Sequence, residues 1–304
     1  MNLREVPKRF LPPIFMDTIR GLSRGKPASQ LYIRRGRVPW SPGYNAYKAQ
    51  VIAKALSDGN LLKLFRCRGS LPAGYGVGID ERCIEYPWLL AHLQSGPAVM
   101  LDAGSTLNDE FILDHPIFRG KVLHVLTLAP EAHCFWQKGI SYLFQDLRDI
   151  PIRDGYYDTI ACLSTLEHVG FDNTLYTGDE THRERRPEDV LVVMRELRRV
   201  LRSGGSLLFT VPFGVYRNLG TFQQFDRKLL SCAVEAFGES GEVVETFYRY
   251  TAEGWRLVEA DDCAECEYVD WVSRGPDQWP RPLPVEPDRA AAARAVACVR
   301  LLKP

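Results

Sequence analysis

The chain has 304 residues, 45% hydrophobic and 25% charged, with 38 basic and 38 acidic side chains and a formal net charge of zero. That length suffices for one large α/β domain with substantial additions or for two modest ones. Balanced charge excludes a general nucleic-acid binder with a wholly basic surface, and no apolar run approaches the roughly 20 residues that span a bilayer, so a cytoplasmic protein without nucleic-acid partners is expected.

The first 40 residues are the strongly asymmetric segment: nine basic side chains, among them Lys8, Arg9, Arg20, Arg24, Arg34, Arg35 and Arg37, face only Glu5 and Asp17. Phe10 to Met16 adds an apolar patch. Such an arm either lies over the domain that follows or makes a peripheral contact with an anionic membrane surface or substrate. Pro12 and Pro13 interrupt any long amphipathic helix, which favours the first. From Tyr44 to about Arg68 the spacing of Tyr47, Val51, Ile52, Ala55, Leu61, Leu62 and Phe65 predicts helix, broken near Asp58-Gly59. Gly74 to Arg82 has the glycines of a phosphate loop but follows no strand, so a turn-rich connector is expected. Glu81, Arg82, Glu85, Tyr86 and Trp88 either contact an acceptor or form an ion-paired surface with Trp88 packed beneath. Residues 1–96 thus read as a basic arm and helical extension covering the sheet of a domain at 97–304.

That domain opens with Val99-Met-Leu-Asp102-Ala-Gly104-Ser105-Thr106-Leu-Asn108, an apolar run ending in an acid and a glycine-led turn. Gly104 lets the backbone turn sharply and a ligand approach the amides beyond it. Asp102, at the carboxyl end of the strand, is placed to hold an amine or hydroxyl of a nucleotide-like ligand. Lys121 to Leu128, Ser141 to Leu147 and Tyr157 to Ser164 are further short, β-rich apolar runs. Pro187-Glu-Asp opens a helix whose Val190, Val193, Met194, Leu197 and Leu201 share one face; Gly204-Gly205 stops it, and Ser206 to Phe213 is the next buried strand. Glu242 to Tyr250, Gly254-Trp255 and Ala295 to Leu302, with a proline-rich loop from Pro276 to Pro287, read as the last strands of the same sheet. Alternating strands and helices predict an α/β fold with a doubly wound, mostly parallel sheet. The eight cysteines fall in patterned segments as small apolar residues, and Cys263-Ala-Glu-Cys266 lacks the second pair a zinc site needs, so no metal is expected.

An ordered series of motifs resembles the class I S-adenosylmethionine-dependent methyltransferases over roughly residues 98–214. It comprises Leu101-Asp-Ala-Gly104, Asp146-Leu147, Tyr157-Asp158 through Leu166-Glu167-His168-Val169, and Leu197-Arg-Arg-Val-Leu201 running into Gly204-Gly205. The last two have no counterpart in a dinucleotide fingerprint. The resemblance implies a Rossmann-like sheet of seven strands with a reversed edge strand and S-adenosyl-L-methionine as cofactor. It implies donor-binding roles for Asp102, Gly104, Ser105, Asn108, Asp146, Leu147 and Ser164. Two departures stand out: Thr106 and Asn108 replace further loop glycines, and about Leu126 replaces the acid that pairs with the ribose hydroxyls. A charge-assisted hydrogen bond contributes roughly 1.5–3 kcal/mol, so either another residue compensates or the donor binds weakly.

Glu167 and His168 are the catalytic candidates. Methyl transfer is an in-line displacement, a hydroxyl acceptor must lose its proton, and an ordinary imidazole suits that task; in the resembling enzymes such a pair also shapes the pocket. Asp172, Asn173 and Tyr176, in a long charged connection, and Gln224, past the fifth strand, are candidates for acceptor binding. Their polarity suits a small-molecule or glycan acceptor methylated at oxygen, and the charged arm and loops resemble methyltransferase-like proteins of bacterial surface-glycan assembly. The competing expectation is a methyltransferase-fold binding or scaffold protein that has lost the donor site.

Overall fold

The computed structural model describes residues 25–269 and 285–304. Lys8, Arg9, Arg20, Arg24, the Phe10 to Met16 patch and most of the proline-rich loop lie outside them. The described α-helices are α1 (Gly25–Arg34), α2 (Tyr44–Ser57), α3 (Gly59–Arg66), α4 (Arg82–His92), α5 (Glu110–Leu113), α6 (Thr174–Thr177), α7 (Val190–Val200) and α8 (Arg227–Phe237). The strands are β1 (Ala98–Ala103), β2 (Lys121–Thr127), β3 (Ser141–Phe144), β4 (Tyr157–Leu163), β5 (Leu201–Pro212), β6 (Arg217–Asn218), β7 (Gln223–Gln224), β8 (Glu242–Thr251), β9 (Gly254–Val258) and β10 (Ala295–Leu302).

Eight of these strands form one sheet in the order β3-β2-β1-β4-β5-β10-β8-β9, and β6 and β7 form a separate ribbon. β1 to β5 run parallel, and β10 is antiparallel to both β5 and β8. The expected α/β, doubly wound architecture and its reversed strand are present. The count is eight rather than seven because β8 folds back at Thr251 to Gly254 into the short antiparallel β9. Strand order reverses at β1, which sends the chain outward to β2 and β3 on one side and to β4 and β5 on the other. That switch point opens a crevice at the carboxyl ends of β1 and β4.

Both faces of the sheet are covered. On one, Ile52, Phe65, Ile84 and Trp88 from α2 to α4 pack with Met100, Leu123 and Leu208; on the other, Val193, Leu197, Leu230 and Phe237 from α7 and α8 pack with Leu101, Ile160 and Leu207. Fully burying each such side chain contributes about 1.5–3 kcal/mol. The expected break between α2 and α3 falls at Asp58, whose carboxylate accepts from the Asn60 and Leu61 amides, 2.9 and 3.1 Å away. One residue therefore ends the first helix and caps the second.

Two expectations are corrected. Gly204-Gly205 does not stop α7, which ends at Val200 with Leu201 already extended. The glycines instead form a bulge inside β5: Tyr157 pairs with Leu201 and Thr159 with Ser206, so β5 spends five residues where β4 spends two. Gly204 there has φ +72°, open to a residue without a side chain. Secondly, the cluster from Glu81 to Trp88 is no ion-paired surface. It forms the buried start of α4, with Glu85 0% and Trp88 1% exposed. Among the described residues, no helix is long and apolar enough to cross a membrane.

Candidate active site

A cavity of about 240 Å³ lies at the carboxyl ends of β1, β2 and β4. Its first wall begins at Gly104, where φ is +108° and the amide donates to the Leu126 carbonyl at 2.8 Å. Of the residues expected to bind a donor, Gly104, Asp146, Leu147 and Ser164 line the cavity, whereas Asp102, Ser105 and Asn108 do not. Asp102 and Asn108 hold the loop from behind. Asp102 accepts from the Leu107 amide at 2.9 Å, and burial raises its carboxyl to about 7. Asn108 accepts from the Tyr142 hydroxyl at 2.7 Å and donates to the His133 carbonyl at 3.0 Å, fixing the loop to the β2–β3 connection.

Leu126 is buried in the core, so no acid stands at the tip of β2. Glu131 lies on the cavity wall four residues beyond that strand. Burial raises its pKa against the opposing effects of Ser105, Asn108 and His133. The sequence signal was available, since Glu131 is the only acid between Leu128 and Ile140. Asp146 accepts from Arg148 at 2.8 and 3.0 Å on one oxygen and 2.6 Å on the other. Burial opposes its charge, but Arg148 outweighs burial and keeps the carboxyl below its ordinary range. Arg148 in turn reaches Asp189 at 2.5 Å and Glu184 at 2.9 Å.

The turn after β4 carries Ser164, Glu167 and His168. The Ser164 hydroxyl donates to Glu85 at 2.5 Å, as does Thr210; the other Glu85 oxygen pairs with Arg82 at 2.6 Å. Glu167 is on the wall, 3% exposed, and its Oε2 has no hydrogen-bond partner; burial pushes its pKa well above the carboxylate range. His168 Nδ1 lies 3.0 Å from the Thr221 carbonyl. A carbonyl only accepts, so Nδ1 carries the proton and Nε2 keeps its lone pair. Burial lowers His168 to about 4, so the ring is neutral through the physiological range.

Of the expected acceptor contacts, Asn173 and Tyr176 line the cavity. The Asn173 amide is used to close its own turn, donating to the His168 and Phe171 carbonyls at 3.0 and 3.1 Å. Burial raises the Tyr176 hydroxyl to about 12, and its ring stands edge-on to His168 at 5.3 Å. Asp172 and Gln224 lie off the wall. Asp172 is occupied by Thr174 and Arg183, and Gln224 donates to the Cys266 carbonyl at 2.6 Å. A second wall comes from Glu81 and Arg82, which the sequence offered as acceptor contacts, and from Phe222, Trp40 and Tyr268, of which the last two were unforeseen.

The donor wall fits a sulfonium nucleoside. The Gly104 turn would allow a close backbone approach, and Glu131, with the oxygens of Asp146 that also accept from Arg148, would offer acceptors to hydroxyls and an amino group. Residues 123–209 match the family model of a methyltransferase domain. The fold is similar to that of 1,6-didemethyltoxoflavin-N1-methyltransferase from Burkholderia thailandensis, at 14% identity over 73% of this chain and 77% of that one, with a TM-score of 0.43. The YcgJ protein of Bacillus subtilis aligns at 11% identity over 73% and 99% of the two chains, with a TM-score of 0.43. An S-adenosylmethionine-dependent methyltransferase from Thermotoga maritima aligns at 12% identity over 84% and 99%, with a TM-score of 0.40. No curated protein matches the chain. The matched segment runs from β2 to β5 and holds Glu131, Asp146, Ser164, Glu167 and His168, whereas Trp40, Glu81, Arg82, Phe222 and Tyr268 lie outside it. Residues 123–209, somewhat under a third of the chain, are thus similar to a methyltransferase domain and are set within a doubly wound sheet.

Proposed function

We propose that the protein transfers the methyl group of S-adenosylmethionine to a small-molecule acceptor held between the two walls. One observation carries this reading: a single cavity joins Gly104, Asp146 and Ser164 to Glu81, Arg82 and His168. In-line displacement needs the donor methyl and the acceptor aligned in a site that excludes bulk water, and two facing walls provide that. Gly104 and Glu131 would position the ribose end, Asp146 and Leu147 the adenine end, and the turn from Ser164 to His168 the reacting end.

A carbohydrate acceptor methylated at oxygen draws less support from the cavity than from the sequence. Asp172 and Gln224 are engaged elsewhere, and the Asn173 amide serves its own turn. His168 Nε2 is available as a base, but at about 4 it holds a hydroxyl proton poorly.

Calorimetric titration with S-adenosylmethionine and S-adenosylhomocysteine, with NAD as control, tests the reading. Micromolar binding of the first two and none of NAD is expected. A folded protein that binds neither would be a scaffold on a methyltransferase fold.

A further inference from the structure

The charges around the second wall do not balance among themselves. Lys48 is paired with Asp80 at 2.8 Å, both side chains buried, and the Tyr44 hydroxyl donates to the same carboxylate at 2.7 Å. Arg82 is paired with Glu85 at 2.6 Å. Two further acids face the cavity without a cation of their own. Glu81 accepts from the Ala293 amide at 3.2 Å, and Glu167 has an oxygen with no partner at all. A buried carboxyl without a counter-charge is costly, and burial raises both, Glu81 to about 8.

The rings nearby add a second, independent preference. Phe222 packs against Tyr268 with centroids 4.8 Å apart and against His168 at 5.4 Å, and Tyr176 stands edge-on to the same imidazole at 5.3 Å. Aromatic faces attract cations. A neutral hydroxyl would leave both acids protonated and gain nothing from their charge. An anion would meet them directly, with only the already paired Arg82 in its favour.

We propose that the acceptor is an organic amine, bound as its ammonium ion against Glu167 and Glu81 and methylated at that nitrogen. The inference rests on the second wall being the acceptor side. An ammonium nitrogen has no lone pair, so one N–H proton must leave first. The bound cation lowers both carboxyls, which ionise in the complex and give up their protons to solvent; the Glu81 carboxylate then takes the ammonium proton, giving a carboxylic acid and a neutral amine, while Glu167 remains the counter-charge. The nitrogen lone pair then forms the N–C bond as the methyl C–S bond of the donor breaks. The bonding pair stays on sulfur, leaving a thioether and a methylated ammonium, and the proton on Glu81 returns to solvent on release. A carboxyl near 8 suits this exchange better than one of ordinary acidity.

The test uses full-length protein saturated with S-adenosylhomocysteine and a panel of primary arylalkylamines, each paired with its alcohol and its carboxylate isostere, 2-phenylethylamine with 2-phenylethanol and 3-phenylpropionate among them. Calorimetry should show amines binding at least about tenfold tighter than their isosteres, a difference of about 1.4 kcal/mol. In Glu167→Gln that preference should vanish while S-adenosylhomocysteine affinity is kept, and Glu81→Gln should weaken amines in the same direction. Retained S-adenosylhomocysteine binding shows that the variants fold. Alcohols or carboxylates binding as well as amines, no amine binding, or an unchanged preference in Glu167→Gln would overturn the proposal. Loss of S-adenosylhomocysteine binding in Glu167→Gln with a normal thermal transition would also overturn it, moving that carboxyl to the donor. Failure of the wild type to bind S-adenosylhomocysteine would instead defeat the methyl-transfer reading, with the amine preference still measured on the protein alone.

Discussion

Gly104 and Thr165 interlock. A β-carbon on Gly104 would stand 2.7 Å from the Thr165 β-carbon and nearer still to its hydroxyl and methyl group. Thr165 has little room to yield, because its hydroxyl donates to the Leu163 carbonyl at 2.9 Å. The turns that follow β1 and β4 are thereby fitted together where the first wall of the cavity begins.

Gly104→Ala should therefore weaken both fold and donor site. The backbone at φ +108° is strained for alanine, and the clash must be relieved by moving one turn off the other. A loss of about 1–3 kcal/mol in stability and at least about a tenfold loss in S-adenosylhomocysteine affinity are expected. Urea titration and calorimetry measure the two. Unchanged donor affinity would mean that the turn does not shape that site.

The buried pair of Arg82 and Glu85 ties α4 to the central strands. Glu85 is 0% exposed and receives Ser164, Thr210 and Arg82. Glu85→Ala strands a guanidinium and two hydroxyls in the interior, and breaking such a pair from one side costs about 3–5 kcal/mol. Glu85→Gln keeps the shape and an acceptor and should cost less. Chemical denaturation of both variants checks this ordering, and equal stabilities would show that the charge contributes nothing there.

The same region shows what the sequence does and does not disclose. β1, β4 and the apolar face of α7 were readable because their side chains recur at the period of the element, and the break at Asp58 because a capping residue acts within three positions. Glu85 was not, because its partner Thr210 lies 125 residues away and charge beside an apolar run reads as surface. Gln224 misled for the same reason: a glutamine after a strand suggests a ligand contact, yet it meets the Cys266 carbonyl from 42 residues away. Glu131 escaped because it sits in an aperiodic connection beyond β2, where position along the strand no longer identifies the acid on the wall.

Glu81 should make the protein less stable as pH rises. Burial first, then Asp80 and Glu85, raise its pKa from 4.5 to about 8. The folded state therefore holds a proton that the unfolded chain releases. Its stabilising contribution is complete below pH 4.5 and is lost between pH 4.5 and about 8, a change on the order of a few kcal/mol. Urea midpoints across that range should fall more steeply in the wild type than in Glu81→Gln. Parallel curves would assign the slope to other groups.

His168 has the opposite sign and a different role. Burial lowers it from 6.5 to about 4, so it favours the unfolded state as pH falls through that interval. In the folded enzyme it does not titrate near neutrality, and the pH profile of kcat should lack a limb between pH 6 and 7 from this ring. His168→Asn preserves a donor for the Thr221 carbonyl while removing Nε2. If the ring walls the acceptor without moving its proton, turnover should fall by less than about tenfold, with donor affinity unchanged, whereas general-base catalysis contributes roughly 10²–10⁴-fold. Single-turnover rates at saturating donor decide between the two, and a loss above about a hundredfold would make Nε2 the base after all.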